Sequence, residues 1–420
     1  MSMKTYSVEE IITYARKHSK YYADLYRDVP KDASFEQLPL VDQDDFWAHC
    51  DGHGGTVATK KQKDGQVFKS GGTTGNPKYS LYTAKEWETL CEYSGSMLTK
   101  GGLKNGMKIA NLFYAGGMYA SFLYTYSMLY FAPAKTVLYN LSGNAASIEE
   151  IVTALLQHQI DCVAGVPSIL TRIASYIEEN HLTGFAVDTV YFAGETLYSD
   201  QRRQLCKTFG RELEFRSIFY SSNDGGAIGY FSKDCGFNEH RVASDLCKLE
   251  LIDTDTREVI SETNRPGAIY ITSLFKTLIP LIRYPAGDMG EYTEPEGTAD
   301  RKFRILGRSD VAARAGYVSL YPADVGNVLE KCGIEYYAYQ IVVTHDIRDQ
   351  FLFRIAVPKE REGFTQKFLE TLYQERAMLK DAFCDGTIHE PKVEWCRTED
   401  LIFNERTGKL KVILDQRQRN

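Results

Sequence analysis

The 420 residues contain no long unbroken apolar run. The longest apolar stretch, Met118 to Ala134, is interrupted by Ser121, Thr125, Ser127 and several tyrosines, so it reads as a buried helix and not as a membrane span. Positive charge is in deficit. Lysine and arginine number 49 against 56 aspartates and glutamates, a net charge of −7. A nucleic-acid binder carries a basic face, and nothing in this chain suggests one. The nine cysteines are scattered without paired spacing. An odd, unpatterned set suggests reduced thiols in a cytoplasmic protein. Met1–Thr5 lead into a charged helix instead of an apolar signal region. Internal repeats and low-complexity tracts are missing. So is the Gly-x4-Gly-Lys-Ser/Thr spacing of the common nucleotide loop.

What remains is an ordinary soluble composition, 43% hydrophobic and 25% charged, long enough for a large core and a second domain. Ser7-x-x-Glu10, Thr83-x-x-Glu86 and Ser147-x-x-Glu150 are capping boxes ahead of amphipathic runs. Short apolar runs alternate with the helices: Ile109–Phe113, Cys162–Val166, Thr189–Phe192, Phe215–Tyr220 and Ile269–Thr272. Strands alternating with helices predict an α/β fold with a largely buried sheet. The expected boundary lies near Ser309-Asp310. It divides a large layered domain, 1–308, from a small α+β lid, 309–420. Pro322 and Gly333 frame one lid helix, Ile341–Thr344 and Phe351–Val357 a strand pair, and Phe364–Leu379 a second helix.

One run concentrates chemistry: Ser70-Gly71-Gly72-Thr73-Thr74-Gly75-Asn76-Pro77-Lys78. Glycines let a backbone turn its N–H groups toward an anion, hydroxyls add donors, and a lysine supplies counter-charge. On composition alone a Gly/Thr surface turn remains open. Further strings follow in order. Gly194-Glu195 closes the run Tyr191-Phe192-Ala193, and Tyr220-Ser221-Ser222-Asn223-Asp224-Gly225-Gly226 closes another. An acidic residue in a Gly-rich turn at a strand's carboxyl end is where α/β sheets bind ligands. Then come Pro280-Leu281-Ile282-Arg283-Tyr284-Pro285-Ala286-Gly287-Asp288, Gly307-Arg308-Ser309-Asp310, and Gly408-Lys409.

This ordered set resembles the blocks of the adenylate-forming superfamily: acyl-CoA ligases, peptide-synthetase adenylation domains and luciferases. The resemblance implies activation of a carboxylic acid by ATP as acyl-AMP. It assigns Ser70, Gly71, Gly72, Thr73, Thr74, Gly75 and Lys78 to the phosphates. Gly194, Glu195, Tyr220, Ser221 and Asn223 fall to the nucleotide, with Tyr220 covering the adenine. Asp224 is implied as a Mg²⁺ ligand, Asp288 as the acceptor of both ribose hydroxyls, Arg308 on the ribose side, Asp310 as the hinge and Lys409 at the reacting carboxylate and α-phosphate. Asp224 stands where the superfamily has glutamate, and Pro285-Ala286 replace the usual Arg-Thr.

Phe35–Leu40, Asn111–Phe113 with Tyr119–Phe122, and Val166–Leu170 resemble phenylacetate–CoA ligases, in a subgroup near the phenazine-biosynthesis adenylating proteins. An aromatic acid is the implied substrate, with Tyr114, Gly117, Ala193, Gly225 and Gly226 lining its pocket. Tyr317 falls where these enzymes have a tunnel glycine, which counts against coenzyme A as acceptor. Cys235-x4-His240 lacks the companion cysteines of a zinc site, so zinc is not expected. Two other readings stay open. One is an acyl-protein synthetase passing the acyl group to a partner protein. The other is a nucleotide- or acid-binding relative without turnover. A homodimer and a small-molecule nucleophile remain open as partners; no nucleic acid or membrane is expected.

Overall fold

The computed structural model describes residues 4–69, 78–194, 197, 199–254, 256–308, 313–315, 318–346, 348–358, 363–384, 388–403 and 408–416. The chain forms two compact units. The larger holds Met1–Thr196 and Cys206–Leu306; the smaller holds Leu197–Leu205 and Gly307–Asn420.

The larger unit contains a five-stranded parallel sheet in the order Val137–Asn140, Lys108–Asn111, Cys162–Gly165, Thr189–Phe192, Glu214–Ser217. Every residue of Cys162–Gly165 and Thr189–Phe192 is buried, as expected for a parallel sheet covered on both faces. The capping boxes at Ser7, Thr83 and Ser147 form, each with the serine or threonine side chain and the glutamate reaching across the first turn. The run expected at Phe215–Tyr220 divides into Glu214–Ser217 and Phe219–Ser222, which belong to different sheets. Ile218 between them donates from its backbone to Phe192 O at 2.8 Å.

The second sheet has eight strands. Their order is Val259–Ile260, Cys247–Ile252, Gly267–Ser273, Tyr284–Tyr292, Lys302–Arg308, Glu239–Val242, Gly226–Tyr230, Phe219–Ser222. The N-terminal helices Val8–His18, Lys20–Leu25 and Gln43–Ala48 place Ile11, Tyr22 and Phe46 in one core with Leu251, Ile269, Ile271, Ile282 and Tyr284. Tyr22 fastens the two ends together. Its hydroxyl donates to Pro280 O at 2.9 Å and accepts from Ile282 N at 3.2 Å. Arg283, at φ 48°, is buried against Glu250 at 3.0 Å and donates to the carbonyls of Glu36 and Leu38 at 2.6 Å each.

A short hairpin, Gln66–Lys69 with Tyr79–Tyr82, is antiparallel and brackets the glycine-rich run. Residues 70–77 themselves lie outside the described residues. The apolar stretch expected as a buried helix forms a helix over Ala120–Phe131, but Tyr126, Tyr130 and Phe131 are exposed. The aromatic side chains that gave the stretch its apolar character lie partly on its open face.

In the smaller unit, Ala338–Asp346 and Arg348–Ala356 form an antiparallel hairpin flanked by the parallel strands Lys392–Cys396 and Ile413–Asp415. Helices Pro322–Cys332 and Phe364–Glu375 supply Val325, Leu329 and Phe368 to its core with Ile341 and Phe353. Gly333 ends the first helix at φ 63°, the left-handed cap that glycine favours. The helix expected over Phe364–Leu379 breaks at Arg376, and a second helix runs over Ala377–Cys384.

Candidate active site

Asp224 is the centre of the polar network. It sits in the turn between the strands Phe219–Ser222 and Gly226–Tyr230. Ser80 donates to Asp224 Oδ1 at 2.6 Å, and Tyr284 donates to Oδ2 at 3.0 Å. Ser80 comes from the hairpin strand that follows the glycine-rich run, and Tyr284 opens the strand that carries Asp288. Tyr82, two residues beyond Ser80, donates to Asn223 O at 2.5 Å. Alternation along the hairpin strand thus gives two hydroxyls to one turn.

Beneath this turn lies a lysine that reading of the sequence did not single out. Lys276 is 1% exposed and donates from Nζ to Asp224 O at 2.6 Å. The ammonium lies 3.9 Å from the Tyr82 ring centroid, a cation–π contact. Burial pushes the Lys276 ammonium down to about 8, opposed by the charges of Glu86 and Asp224. Glu86 is 4% exposed and accepts from Thr277 N at 2.6 Å, Thr277 Oγ1 at 3.0 Å and Leu278 N at 2.9 Å. The same glutamate completes the capping box of helix Ala84–Lys100. One carboxylate therefore starts the helix and fixes the segment that presents Lys276. The available signal was a lysine inside the apolar run Leu274-Phe275-Lys276-Thr277-Leu278, since charge is rarely buried without a partner.

Tyr220 and Asp288 meet. The Tyr220 hydroxyl donates to Asp288 Oδ2 at 2.7 Å, and its ring lies edge-on to Phe303 at 5.7 Å. His240 packs 6.1 Å from Tyr220 and 6.1 Å from Phe303 between ring centroids, with Nε2 at 2.7 Å from Ser217 Oγ. Burial pushes His240 down to about 4. Cys247, the cysteine nearest the Cys235…His240 pair in sequence, donates from Sγ to Ile228 O at 3.6 Å. Among the described residues no group of three His, Cys, Asp or Glu is placed to hold a metal.

The stem of the glycine-rich run is fixed from two sides. Lys69 N donates to Met118 O at 2.9 Å, and Asn223 Nδ2 donates to Lys69 O at 3.4 Å. Lys69, the residue before the run, therefore lies beside Asn223 and beside the loop after strand Lys108–Asn111. Lys78, at its other end, donates to Gln43 Oε1 at 2.8 Å. The structure thus brings Lys78, Tyr220, Asn223, Asp224 and Asp288 into one region of the larger unit, together with Ser80, Tyr284, Gln43 and Trp47.

The candidate acid-binding residues divide. Tyr114 is buried at the carboxyl end of the parallel sheet, Ala193 is half-buried, and Gly117 is exposed. Gly194 has φ 79°. Gly225 and Gly226 are held by packing. A Cβ on Gly225 would meet Ile271 Cδ1 at 2.3 Å, and one on Gly226, at φ 74°, would meet Phe275 and Leu90 at 3.0 and 3.1 Å. Ser221 is exposed on its strand. Lys409 is half-buried in the smaller unit. Ser70–Gly75, Glu195, Asp310 and Tyr317 lie outside the described residues, and of Arg308 only the backbone, in strand Lys302–Arg308, is described.

A whole-chain likeness decides the architecture. The structure matches 2-hydroxyisobutyryl-CoA ligase, captured after adenylation with its acyl-AMP, at a TM-score of 0.78 and 16% identity, covering 97% of this chain and 87% of that one. The fold is that of the adenylate-forming ligases. The same ligase with acyl-AMP and coenzyme A, in its thioester-forming state, matches at 0.63 and 18% identity, covering 98% of this chain and 88% of that one. By sequence, the chain is similar to phenylacetate–CoA ligase of Thermus thermophilus, 25% identical over 303 residues, 70% of this chain and 65% of that one. It is also similar to indoleacetate–lysine synthetase of Pseudomonas savastanoi, 23% identical over 262 residues, 60% of this chain and 58% of that one. The chain thus spans 58% to 65% of the length of these curated relatives. No family model matches the sequence.

Proposed function

We propose that this protein activates a carboxylic acid with ATP and transfers the acyl group to a thiol; the coenzyme A-bound ligase of the same fold and the relative named phenylacetate–CoA ligase favour coenzyme A as acceptor over the expectation drawn from Tyr317. A carboxylate resists nucleophilic attack until its charge is removed. Its oxygen attacks the α-phosphorus, the bond to pyrophosphate breaks, and a mixed anhydride with AMP results. The thiol sulfur then attacks the acyl carbon and AMP departs. Protein help in the first step is positioning and charge neutralisation at phosphorus. The observation that carries the reading is the convergence of Lys78, Asp224 and the Tyr220–Asp288 pair in one region of an adenylate-forming fold.

Each residue then has a task. The Gly-rich run and Lys78 hold the pyrophosphate side. Asp288, which accepts from Tyr220 through Oδ2, is the carboxylate assigned to the ribose hydroxyls. Lys409 neutralises charge between the carboxylate and the α-phosphate, and Asp310 is the hinge on which the smaller unit turns. Magnesium fits the donor set. Asp224 offers carboxylate oxygens with Ser80 and Tyr284 hydroxyls beside them, all hard oxygen, and Mg²⁺ commonly takes one or two carboxylates plus substrate phosphates. When bound, it would offset phosphate charge.

The acid is aromatic. Two relatives are named for phenylacetate and indoleacetate, each an aryl ring on an acetic acid. Tyr114 and Ala193 end the parallel strands where an apolar ring would rest. ATP–pyrophosphate exchange across a panel of aryl, arylacetic and short aliphatic acids, with and without coenzyme A, tests the reading. Exchange is expected with an aryl or arylacetic acid, followed by consumption of the thiol. Exchange without thiol consumption would sink the acceptor assignment. Absence of exchange with every acid, despite ATP binding, would sink the activity.

A further inference from the structure

The helix Gln43–Ala48 contains none of the strings assigned to the nucleotide, yet two of its side chains, one turn apart, enter the site. Asp42 caps its start, accepting from Asp45 N at 2.9 Å. Phe46 is fully buried and anchors it, 5.1 Å from the Tyr284 ring and 5.5 Å from Tyr21 between centroids. Gln43 and Trp47 are then both fixed against Tyr284.

The hydrogen bonds run in one direction. Lys78 Nζ donates to Gln43 Oε1 at 2.8 Å. Gln43 Nε2 donates to the Tyr284 hydroxyl at 3.1 Å and to Pro285 O at 3.3 Å. Trp47 Nε1 donates to the same hydroxyl at 2.7 Å, with its ring facing the Lys78 ammonium at 5.8 Å. The Tyr284 oxygen thus receives two donors, and its single proton is left for Asp224 Oδ2 at 3.0 Å. Reversing the Gln43 amide would set N–H groups against an ammonium and an oxygen against the Pro285 carbonyl, so the network assigns its orientation. In such a chain each donor is polarised by the one before it.

We propose that Gln43 is a positioning residue that couples Lys78 to Asp224 through Tyr284, so that the grip on the terminal phosphates and the carboxylate near the reacting phosphorus are set together. The proposal rests on the reading of Lys78 and Asp224 as the ATP-holding groups. It also gives the N-terminal segment a part in the chemistry that none of the superfamily-like strings contains.

Gln43→Glu is the discriminating variant. It is isosteric, keeps an acceptor for Lys78, and replaces the donor facing Tyr284 by an acceptor. ATP affinity is read by titrating intrinsic tryptophan fluorescence, to which Trp47 contributes, and KM for ATP and for the acid are read by pyrophosphate exchange. The expected result is a loss of about tenfold in ATP affinity and a rise of about tenfold in KM for ATP, the scale of one hydrogen bond in a charged network, with KM for the acid and the melting temperature unmoved. Gln43→Glu combined with Tyr284→Phe should be no worse than Tyr284→Phe alone. Multiplying effects in the double variant, wild-type ATP affinity in Gln43→Glu, or an equal rise in KM for the acid would each overturn the proposal. Should Gln43→Glu fail to fold, Gln43→Met, which removes donor and acceptor together, carries the same expectations. Failure of the activity reading is separable, because ATP titration reports the coupling even where no acid supports exchange.

Discussion

At the scale of single residues, the site uses charges that are individually unfavourable and collectively satisfied. Lys276 is a fully buried ammonium, a placement that costs several kcal/mol unless partners offset it. The Asp224 carbonyl, the Tyr82 ring and the nearby Glu86 charge are those partners. The lysine holds the backbone of Asp224 while Ser80 and Tyr284 hold its carboxylate, so the aspartate is fixed at both ends. On the role proposed for it, Lys409→Ala should lower ATP–pyrophosphate exchange by about 10²–10³, the scale of losing one donor to a developing oxyanion. The measurement is exchange with the preferred acid at saturating ATP, and an undiminished rate would remove Lys409 from the mechanism.

At the scale of elements, what was legible in the sequence was local. Each capping box joins residues three apart, and the buried parallel strands announced themselves as short apolar runs between helices. Asp224 stood in a recognisable turn, and Asp288 closed a recognisable string that folds as a strand. The groups that position them did not, because they converge from afar: Ser80 lies 144 residues from Asp224, and Gln43 lies 241 from Tyr284. Packing also constrains two of the expected pocket glycines: the missing side chains of Gly225 and Gly226 accommodate Ile271, Phe275 and Leu90. Gly226→Ala should therefore destabilise the large unit by about 1–3 kcal/mol, from the left-handed backbone at φ 74° and the crowded Cβ. A urea titration checks this. A variant within 0.5 kcal/mol of wild type, roughly the range of neutral surface changes, would show that the packing around Gly226 yields.

At the scale of the whole molecule, acid should act through His240. Its burial depresses the imidazole from 6.5 to about 4, so the unfolded chain binds a proton that the native one refuses between those values. Native stability from this group is full above pH 6.5 and declines as pH falls toward 4, by up to about 3 kcal/mol at 1.36 kcal/mol per unit. His240→Asn should flatten the decline in denaturant midpoint between pH 6.5 and 4; an unaltered slope would assign the acid sensitivity elsewhere. No described helix is long and apolar enough to cross a membrane.

The bonds from Tyr22 to Pro280 and from Gln43 to Tyr284 join positions 258 and 241 residues apart. A ribosome adding about 5–20 residues per second needs roughly 10–50 s to bridge such a gap. Through that interval the first helices exist without their sheet, and Phe46 and Tyr22 have no core to enter. Completion of the site is thereby timed by translation: the helix bearing Gln43 and Trp47 can close on it only after the strand beginning at Tyr284 has emerged. Nascent chains halted before and after that strand would differ in protease resistance of their first fifty residues.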